Sequence, residues 1–290
     1  MTKCTIIGAN GYIGKHLDYY LSQMGAEVRC YDIQDNTNQR YHKVDITNPL
    51  SVQEISLDVD YVIMLAGLNG THVGFEQYSK FIDVNEKGLL NLLDAVKKSS
   101  YRPRIIFPSS RLVYKGKEEA LKEDDDKEAK TIYAINKLAC EGMLKAYANS
   151  FDIPYTIFRI CVPFGNMLAK DYSYGTIGFF IRQAKNNGKI TLYGDGHFKR
   201  TFSSMKDICE QIVSASLKEE STNQTYNIGG CTSSLKEAAE VVASHFNAKV
   251  EFIPFPEKDL RIESGSTYFD ATKIESILGE RKYEDIHSLF

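Results

Sequence analysis

Tyr133 and Lys137 lie four residues apart in the segment AKTIYAINKLACEG, whose pattern predicts a helix. Residues at this spacing share a helix face, so the ammonium could tune the acidity of the phenol. A tyrosine of pKa near 10 needs a shift of about 3 units, or about 4 kcal/mol, to exchange protons near neutrality. A cation about 4 Å away contributes on the order of 4 kcal/mol at an effective dielectric constant near 20. The pair could therefore donate a proton, although Tyr and Lys at this spacing are also common on helix surfaces.

The segment GANGYIG places three glycines in G-x-x-G-x-x-G spacing between a strand pattern and a helix pattern. Glycine permits a positive φ and a close approach of a diphosphate, and the helix amino terminus offers free N–H groups to the anion. Asp32 ends the next strand pattern, near the roughly 20-residue distance expected for an acid that binds an adenosine ribose. The predicted dinucleotide-binding residues of this turn are Gly8, Asn10, Gly11, Tyr12, Ile13 and Gly14.

Asp32 also bears on the choice of dinucleotide. A carboxylate hydrogen-bonds two free ribose hydroxyls but repels a 2′-phosphate, and residues 33–36 supply no compensating cation. NAD(H) is therefore favoured as the cofactor. Arg29 and Arg40 lie near enough in the sequence to keep NADP(H) possible.

The elements that must position these residues follow a regular order. Apolar runs such as KCTIIGA, EVRCYD, YVIMLAG and PRIIFPSS alternate with helical patterns near 13–24 and 88–98. This alternation predicts an α/β fold, a Rossmann doubly wound parallel sheet, with a smaller C-terminal α+β substrate lobe. We predict an NAD(P)-binding domain over 1–165, to which 205–230 returns, and a lobe formed by 166–204 and 231–290. The charged run KGKEEALKEDDDKEAK is predicted to be a solvated loop or an exposed helix face.

Composition excludes several classes of protein. The chain has 290 residues, a formal net charge of -3 and 43% hydrophobic residues, as in ordinary globular proteins. No broad basic surface favours nucleic acid, and no apolar run reaches the roughly 18 residues that span a membrane. We therefore expect a cytoplasmic protein. The six cysteines and six histidines show no spacing typical of a metal site or a disulfide framework.

The glycine turn, Asp32 and the Y-x-x-x-K pair together resemble the extended short-chain dehydrogenase/reductase family, in its NAD-dependent epimerase/dehydratase branch, which modifies nucleotide sugars. Further segments in the same order are similar to that family. VDITN resembles its adenine-side segment and YVIMLAG its cofactor-lining strand, while FPSSRLVY resembles the segment of its catalytic serine. LYGDGHFKRTF and LRIES resemble segments that bind the substrate. The residues that the resemblance adds are Asp45, Ile46, Leu65, Ala66 and Gly67 for the cofactor, Ser110 for catalysis, and Arg200 and Arg261 for the substrate.

The resemblance implies a mechanism of hydride transfer between a nicotinamide and a sugar. Tyr133 would exchange a proton with the sugar oxygen while Ser110 hydrogen-bonds that oxygen. Lys137 would tune the tyrosine and bind the nicotinamide ribose. Arg200 and Arg261 would bind the nucleotide diphosphate as bidentate cations. The family also implies a homodimer, formed by the segments 88–97 and 132–147.

Departures from the family pattern narrow the reaction. Dehydratases of the branch carry an Asp-Glu pair directly after the catalytic Thr, where this chain has Arg111 and Leu112, so dehydration is disfavoured. Many epimerases carry Asn where this chain has Val162. We therefore favour reduction of the 4-keto group of a nucleotide-linked 4-keto-6-deoxyhexose. An NAD-retaining 4-epimerase is the alternative, and a non-catalytic dinucleotide-sensing regulator is the alternative from another class.

Two tyrosines and a histidine near the predicted sugar site have more than one interpretation. Tyr172 and Tyr174 could line the site, although packing is the commoner role of aromatic residues near a helix start. His72 follows a strand at its carboxyl end, where ligands bind in doubly wound sheets, although a solvated loop is the commoner role of such a residue.

Overall fold

A computed structural model describes residues 1–168 and 174–290 of the chain. Its described strands are β1 Lys3–Ile7, β2 Glu27–Asp32, β3 Tyr41–Lys43, β4 Tyr61–Met64, β5 Arg104–Ser110, β6 Tyr155–Ile160, β7 Val162–Phe164, β8 Lys189–Tyr193, β9 Lys199–Ser204, β10 Gln224–Asn227, β11 Cys231–Ser234 and β12 Lys249–Ile253. Seven of them form one sheet in the order β10-β6-β5-β4-β1-β2-β3, and every pair in it is parallel. The predicted doubly wound parallel sheet is therefore confirmed.

Helices cover both faces of this sheet. The described α-helices are α1 Tyr12–Gln23, α2 Pro49–Val52, α3 Thr71–Glu76, α4 Tyr78–Phe81, α5 Gly88–Lys98, α6 Ile132–Phe151, α7 Gly175–Asn187, α8 Met205–Ser216, α9 Leu235–Phe246, α10 Glu257–Leu260 and α11 Thr272–Leu278. One apolar core lies between the sheet and α1, α8 and α11, and a second lies between the sheet and α5 and α6. Strands β5 and β6 are buried at every position because both of their faces are covered.

Smaller sheets form the rest of the described structure. Strand β11 pairs antiparallel with β9, and β9 pairs parallel with β7, while β8 and β12 form a parallel pair. Helices α7 and α9 pack with these strands around a third core. Strand β10 joins β6 at the edge of the main sheet, whereas β7 pairs in the small sheet although it lies within 1–165. The division into two domains stays a prediction.

The helix that carries Tyr133 and Lys137 begins as the sequence predicts. Thr131 is its N-cap, and the Thr131 hydroxyl accepts a hydrogen bond from the backbone N–H of Ala134 at 3.2 Å. Both candidate catalytic side chains therefore lie in the first two turns of α6. The helix ends at Asp152, which adopts a left-handed conformation with φ of 52°.

The charged segment 115–130 is a loop, but it is not simply solvated. Leu121 is fully buried and forms a β-bridge with Phe269, while Lys127 bridges to Tyr114. A Cβ at Gly116 would overlap the carbonyl oxygen of Ser264, so the segment lies directly against the chain near 264–269. The segment is a loop, as predicted, and its charged residues are exposed or partly buried, while Leu121 is its one buried residue.

Within 1–168 and 174–290, no helix combines the length and the apolar character that crossing a membrane requires. All six cysteines are free thiols, and five of them are buried. Burial raises the pKa of the Cys4 thiol to about 12 and that of the Cys140 thiol to about 12, so these groups stay protonated.

Candidate active site

A cleft of about 980 Å³ opens where the strands of the main sheet end. Ligands bind at this edge of doubly wound sheets because the connecting loops diverge there. Most of the predicted catalytic and cofactor-binding residues meet in it. The predicted residues that line the cleft are Gly8, Gly11, Tyr12, Ile13, Gly14, Leu65, Gly67, Ser110, Tyr133 and Lys137.

The glycine turn has the geometry of a diphosphate-binding loop. Gly8 has φ of +89°, and a Cβ built on it would lie 2.5 Å from the backbone nitrogen of Ala66. A Cβ at Gly14 would overlap the carbonyl oxygen of Gly8, so the start of α1 packs directly on the turn. No side chain of the described residues caps α1 at Gly11, which leaves the first amide groups of the helix facing the cleft. These features fit a dinucleotide.

Gly8→Ala is expected to lower the free energy of unfolding by about 2 kcal/mol or more, because the added Cβ combines a clash with a strained φ. NAD affinity is expected to fall with it. Chemical denaturation and titration with NAD measure both effects. Gly142→Ala is the matched control, since a Cβ at this position in α6 meets nothing within 4 Å and should stabilise the helix by up to about 1 kcal/mol. Equal stability of Gly8→Ala and the wild type would contradict this account of the turn.

Asp32 lies directly over the glycine turn. One of its carboxylate oxygens accepts the backbone N–H of Asn10 at 2.8 Å, and the other accepts that of Gln34 at 3.0 Å. The Asn10 side chain in turn donates to the carbonyl oxygen of Gln34 at 3.1 Å. The carboxylate is thereby held beside the turn, where the ribose of a dinucleotide would meet it.

Neither candidate cation for a 2′-phosphate is available beside Asp32. Arg29 forms an ion pair with Glu27 at 3.0 Å, and Arg40 forms one with Asp18 at 3.1 Å. A 2′-phosphate at Asp32 would therefore meet a carboxylate without a compensating charge. This arrangement favours NAD(H) over NADP(H).

Three predicted cofactor residues lie behind the cleft surface. The Asp45 carboxylate accepts hydrogen bonds from the backbone N–H of Thr47 at 2.9 Å and from its hydroxyl at 2.7 Å. Ile46 is buried against Gly88, where an added Cβ would lie 2.9 Å from it. Ala66 packs under Gly8. None of these three residues lines the cleft itself, and a direct contact with the cofactor stays a prediction.

Tyr174 is a cleft residue that sequence reasoning left between two roles. Its ring stacks on Tyr12 of the glycine turn, with centroids 4.2 Å apart, and its hydroxyl accepts a hydrogen bond from Asn69 at 3.1 Å. Tyr12 also donates a hydrogen bond to the carbonyl oxygen of Gly165. The two tyrosines thus connect the glycine turn to the start of α7. Tyr172 lies outside the described residues.

Ser110 and Tyr133 face each other across the cleft. Ser110 is the last residue of β5, and its hydroxyl lies near enough to that of Tyr133 to favour the ionised phenol. Burial outweighs this effect and raises the pKa of Tyr133 above its ordinary value. The phenol is therefore protonated at neutral pH, as a proton donor to a carbonyl must be.

Lys137 lies near Tyr133 and is held by the strand beneath it. Its ammonium donates to the carbonyl oxygen of Pro108 at 2.7 Å and lies 6.0 Å from the centroid of the Tyr133 ring. Burial lowers the pKa of Lys137 to about 8. Its predicted effect on the acidity of the phenol stays a prediction.

The lowered pKa of Lys137 predicts a pH dependence of cofactor binding. An ammonium that binds the nicotinamide ribose is charged below pH 8 and loses its proton above it, so NADH affinity should be constant below about pH 8 and weaken above it. Fluorescence titration of NADH across this range measures the effect. Lys137→Met should bind more weakly and without the break. A wild-type affinity that stays constant to pH 10 would contradict the role given to Lys137.

A second cavity of about 520 Å³ adjoins the cleft. Its walls include the aromatic side chains of Tyr193, Phe198 and Phe255. The residues that line both spaces are Arg111, Val162, Thr176 and Phe179. The two spaces are therefore adjacent and share part of their walls.

The structure brings one of the two predicted diphosphate ligands to this cavity. Arg200 is 1% exposed, lines the cavity and forms an ion pair with Glu263 at 2.8 Å. Burial lowers the pKa of Arg200 to about 10. Arg261 instead lies on the surface, paired with Glu257, and lines neither space. Its predicted role as a diphosphate ligand has no support in this arrangement.

Comparison with known proteins places this site in a family. The family model for the NAD dependent epimerase/dehydratase family matches residues 4–229. A UDP-N-acetyl-alpha-D-glucosaminuronate decarboxylase of Bacillus cytotoxicus is 30% identical over 273 residues, which cover 87% of this chain and 84% of that protein. A UDP-glucuronate 4-epimerase of Thermodesulfobacterium geofontis is 24% identical over 94% of this chain and 89% of its own.

A solved structure has the same fold at low sequence identity. The crystal structure of UDP-glucuronic acid 4-epimerase from Bacillus cereus, in complex with UDP-glucuronic acid and NAD, aligns with a TM-score of 0.85 at 22% identity. The alignment covers 99% of this chain and 96% of that one. With the matched family model and the shared fold, the chain belongs to the NAD-dependent epimerase/dehydratase family, as its motifs predicted.

Proposed function

We propose that the protein oxidises and reduces C4 of the hexose in a nucleotide-diphosphate sugar, with Tyr133 exchanging the proton. The observation that carries this proposal is the meeting of Ser110, Tyr133 and Lys137 with the glycine turn in one cleft. The hydroxyl groups of Ser110 and Tyr133 lie close together in the cleft, which supports a common partner, the oxygen on the reacting carbon. A purely regulatory dinucleotide sensor would need none of these three groups.

Each residue has a distinct part in this proposal. Bound NAD supplies the acceptor and donor of the hydride, and Asp32 and the glycine turn would hold its ribose and diphosphate. Ser110 hydrogen-bonds the sugar oxygen and keeps it in place as its charge changes. Tyr133 gives its proton to that oxygen during reduction and receives it during oxidation. Lys137 keeps a positive charge near the phenol and the nicotinamide ribose.

The second cavity suits the nucleotide half of the substrate. Aromatic walls from Tyr193, Phe198 and Phe255 offer flat apolar surfaces to a base. Arg200 lies at the same cavity and supplies a fixed guanidinium for the diphosphate. The sugar would then lie between Arg200 and the cofactor, in the part of the cleft that Ser110 and Tyr133 line.

Two net reactions share this chemistry. The sequence favours reduction of a nucleotide-linked 4-keto-6-deoxyhexose by NAD(P)H. The names of the relatives favour the alternative, a 4-epimerase that retains its NAD, because a UDP-glucuronate 4-epimerase and a dTDP-L-rhamnose 4-epimerase are among them. Arg111 and Leu112 after Ser110 offer no acid and base for dehydration. The homodimer and the cytoplasmic location stay predictions.

The net reaction can be identified by following the cofactor and the sugar together. The purified protein is incubated with NADH or NADPH and with dTDP-, CDP-, GDP- and UDP-sugars, including 4-keto-6-deoxy forms. Loss of reduced cofactor with a product two hydrogen atoms heavier identifies a reductase. Interconversion of sugars of equal mass, without net loss of cofactor, identifies an epimerase. Absence of both reactions with every sugar would contradict the proposed function.

A further inference from the structure

Arg111 is a cation of the cleft that the family pattern does not explain. It follows Ser110 directly and lines both the cleft and the second cavity. One of its guanidinium nitrogens donates to the hydroxyl of Thr267 at 2.8 Å. That contact orients the side chain but brings no negative charge to it.

The guanidinium of Arg111 has no acidic partner in the described parts of the chain, 1–168 and 174–290. Glu263, which lines the second cavity with Arg111, forms its ion pair with Arg200 and also accepts the backbone N–H groups of Ser264 at 2.8 Å and Gly265 at 3.0 Å. The charge of Arg111 also helps to lower the pKa of Arg200, as expected for two neighbouring cations. The junction of the two spaces therefore carries an uncompensated positive charge.

An uncompensated guanidinium in a partly buried cleft is costly unless an anion meets it. A planar guanidinium suits a bidentate oxyanion, either a carboxylate or a phosphate. A nucleotide sugar offers phosphate in its diphosphate, and it offers a carboxylate only if the sugar is a uronic acid. The position of Arg111 indicates which of these two groups it would meet.

The positions of Arg111 and Arg200 favour a carboxylate on the sugar as the partner of Arg111. Arg200 lines only the second cavity, on the nucleotide side, whereas Arg111 also lines the cleft of Tyr133. The Cα of Arg111 lies about 3.8 Å from that of Ser110, whose hydroxyl faces the reacting carbon in the proposed function. Since Arg111 also lines the cleft of Ser110 and Tyr133, a substituent next to that carbon would lie in the space that Arg111 borders.

We propose that Arg111 binds a carboxylate on the sugar, so that the substrate is a nucleotide-diphosphate uronic acid. This inference rests on the proposed function and names its substrate class. A 6-deoxyhexose has no such carboxylate, so the inference favours the epimerase over the reductase.

The test compares sugars that differ only in this charge. The kcat/KM values of UDP-glucuronic acid and UDP-glucose, and of the matching dTDP pair, are measured for the wild type and for Arg111→Gln, Arg111→Lys and Lys3→Gln. Lys3→Gln is the control, since it removes one exposed charge, paired with Asp58, at the opposite end of β1. Circular dichroism and NAD affinity show whether each variant is folded.

We expect the wild type to prefer the uronic acid by about 100-fold, the size of a charge-assisted bidentate interaction. Arg111→Gln should lower kcat/KM for the uronic acid by about 100-fold and change that for the neutral sugar by less than about threefold. Arg111→Lys should restore part of the preference, and Lys3→Gln should leave it unchanged. An equal loss for both sugars would assign Arg111 to the diphosphate and overturn the inference.

The outcomes for the wild type separate the inference from the proposed function. Turnover of the neutral sugars without a preference for the uronic acids overturns the inference and leaves the function standing. No turnover of any sugar, with the cofactor unchanged, overturns the function itself. An Arg111→Gln protein that fails to fold is replaced in the comparison by Arg111→Lys, which must then still weaken the preference for the uronic acid.

Discussion

Tyr133→Phe is expected to lower kcat by about 10³-fold, in the range that a positioned general acid contributes. Tyr133 lines the cleft together with Ser110, so the substitution removes the proton and preserves the packing of the ring. The affinity for NAD should stay within about threefold of the wild type. Single-turnover kinetics with saturating sugar and a binding titration with NAD measure the two quantities.

A matched control separates loss of the proton from loss of any tyrosine hydroxyl. Tyr101→Phe removes an exposed hydroxyl beyond the end of α5, outside the cleft, and should leave kcat unchanged. A Tyr133→Phe enzyme with wild-type turnover would show that another group supplies the proton. A large loss of NAD affinity in this variant would instead make Tyr133 a residue of the binding site.

Glu141→Ala is expected to lower the free energy of unfolding by about 3–5 kcal/mol, because it leaves a buried guanidinium without its partner. Glu141 and Arg159 are 1% and 2% exposed, and their charged groups lie 2.6 Å apart. The hydroxyl of Ser109 also donates to Glu141, at 2.6 Å. This cluster joins the helix of Tyr133 and Lys137 to the strand that ends in Ser110, so turnover should fall together with stability.

Two comparisons test the cause of that loss. In urea denaturation, the double variant Glu141→Ala with Arg159→Met should lose less stability than Glu141→Ala alone, since no unpaired charge then remains buried. Glu251→Ala breaks the exposed pair with Lys189 and should cost less than about 1 kcal/mol. A loss below about 1 kcal/mol in Glu141→Ala would contradict the structural role given to the cluster.

Features set by short stretches of chain could be predicted from the sequence. The glycine turn, Asp32 and the helix of Tyr133 each depend on residues within a strand, a turn and a helix. Spacing therefore places Gly8, Gly14 and Asp32 correctly around one turn, and it places Tyr133 and Lys137 on one helix. The parallel sheet follows from the same alternation of strands and helices.

Features set by distant partners could not be predicted in this way. The position of the Lys137 ammonium depends on the Pro108 carbonyl, 29 residues earlier in the chain. Arg200 is buried at the second cavity beside Glu263, and Arg261 lies on the surface, although both arginines look alike as candidates in the sequence. Leu121 is buried although it lies in a segment whose composition favours solvent. Each outcome depends on which groups the fold brings together.

Arg111 shows how an unusual residue acquires meaning from its surroundings. In the sequence it only marks the missing acid and base of a dehydratase. In the structure it is a cation beside Ser110, at the junction of two cavities, with only the hydroxyl of Thr267 as a hydrogen-bond partner among the described residues. The sequence shows that an arginine follows Ser110, but only the structure shows that it forms no ion pair with a carboxylate of the described residues.

In the proposed function, a hydride passes between the nicotinamide and C4 of the sugar in the cleft that Tyr133 lines. The most direct test supplies the protein with NADH in which both hydrogens at C4 of the nicotinamide are deuterium, and with a nucleotide-linked 4-keto sugar. We predict one deuterium at C4 of the sugar, detected by mass spectrometry and proton NMR, and its absence with Tyr133→Phe. A sugar without deuterium, or with deuterium at another carbon, would contradict the claim.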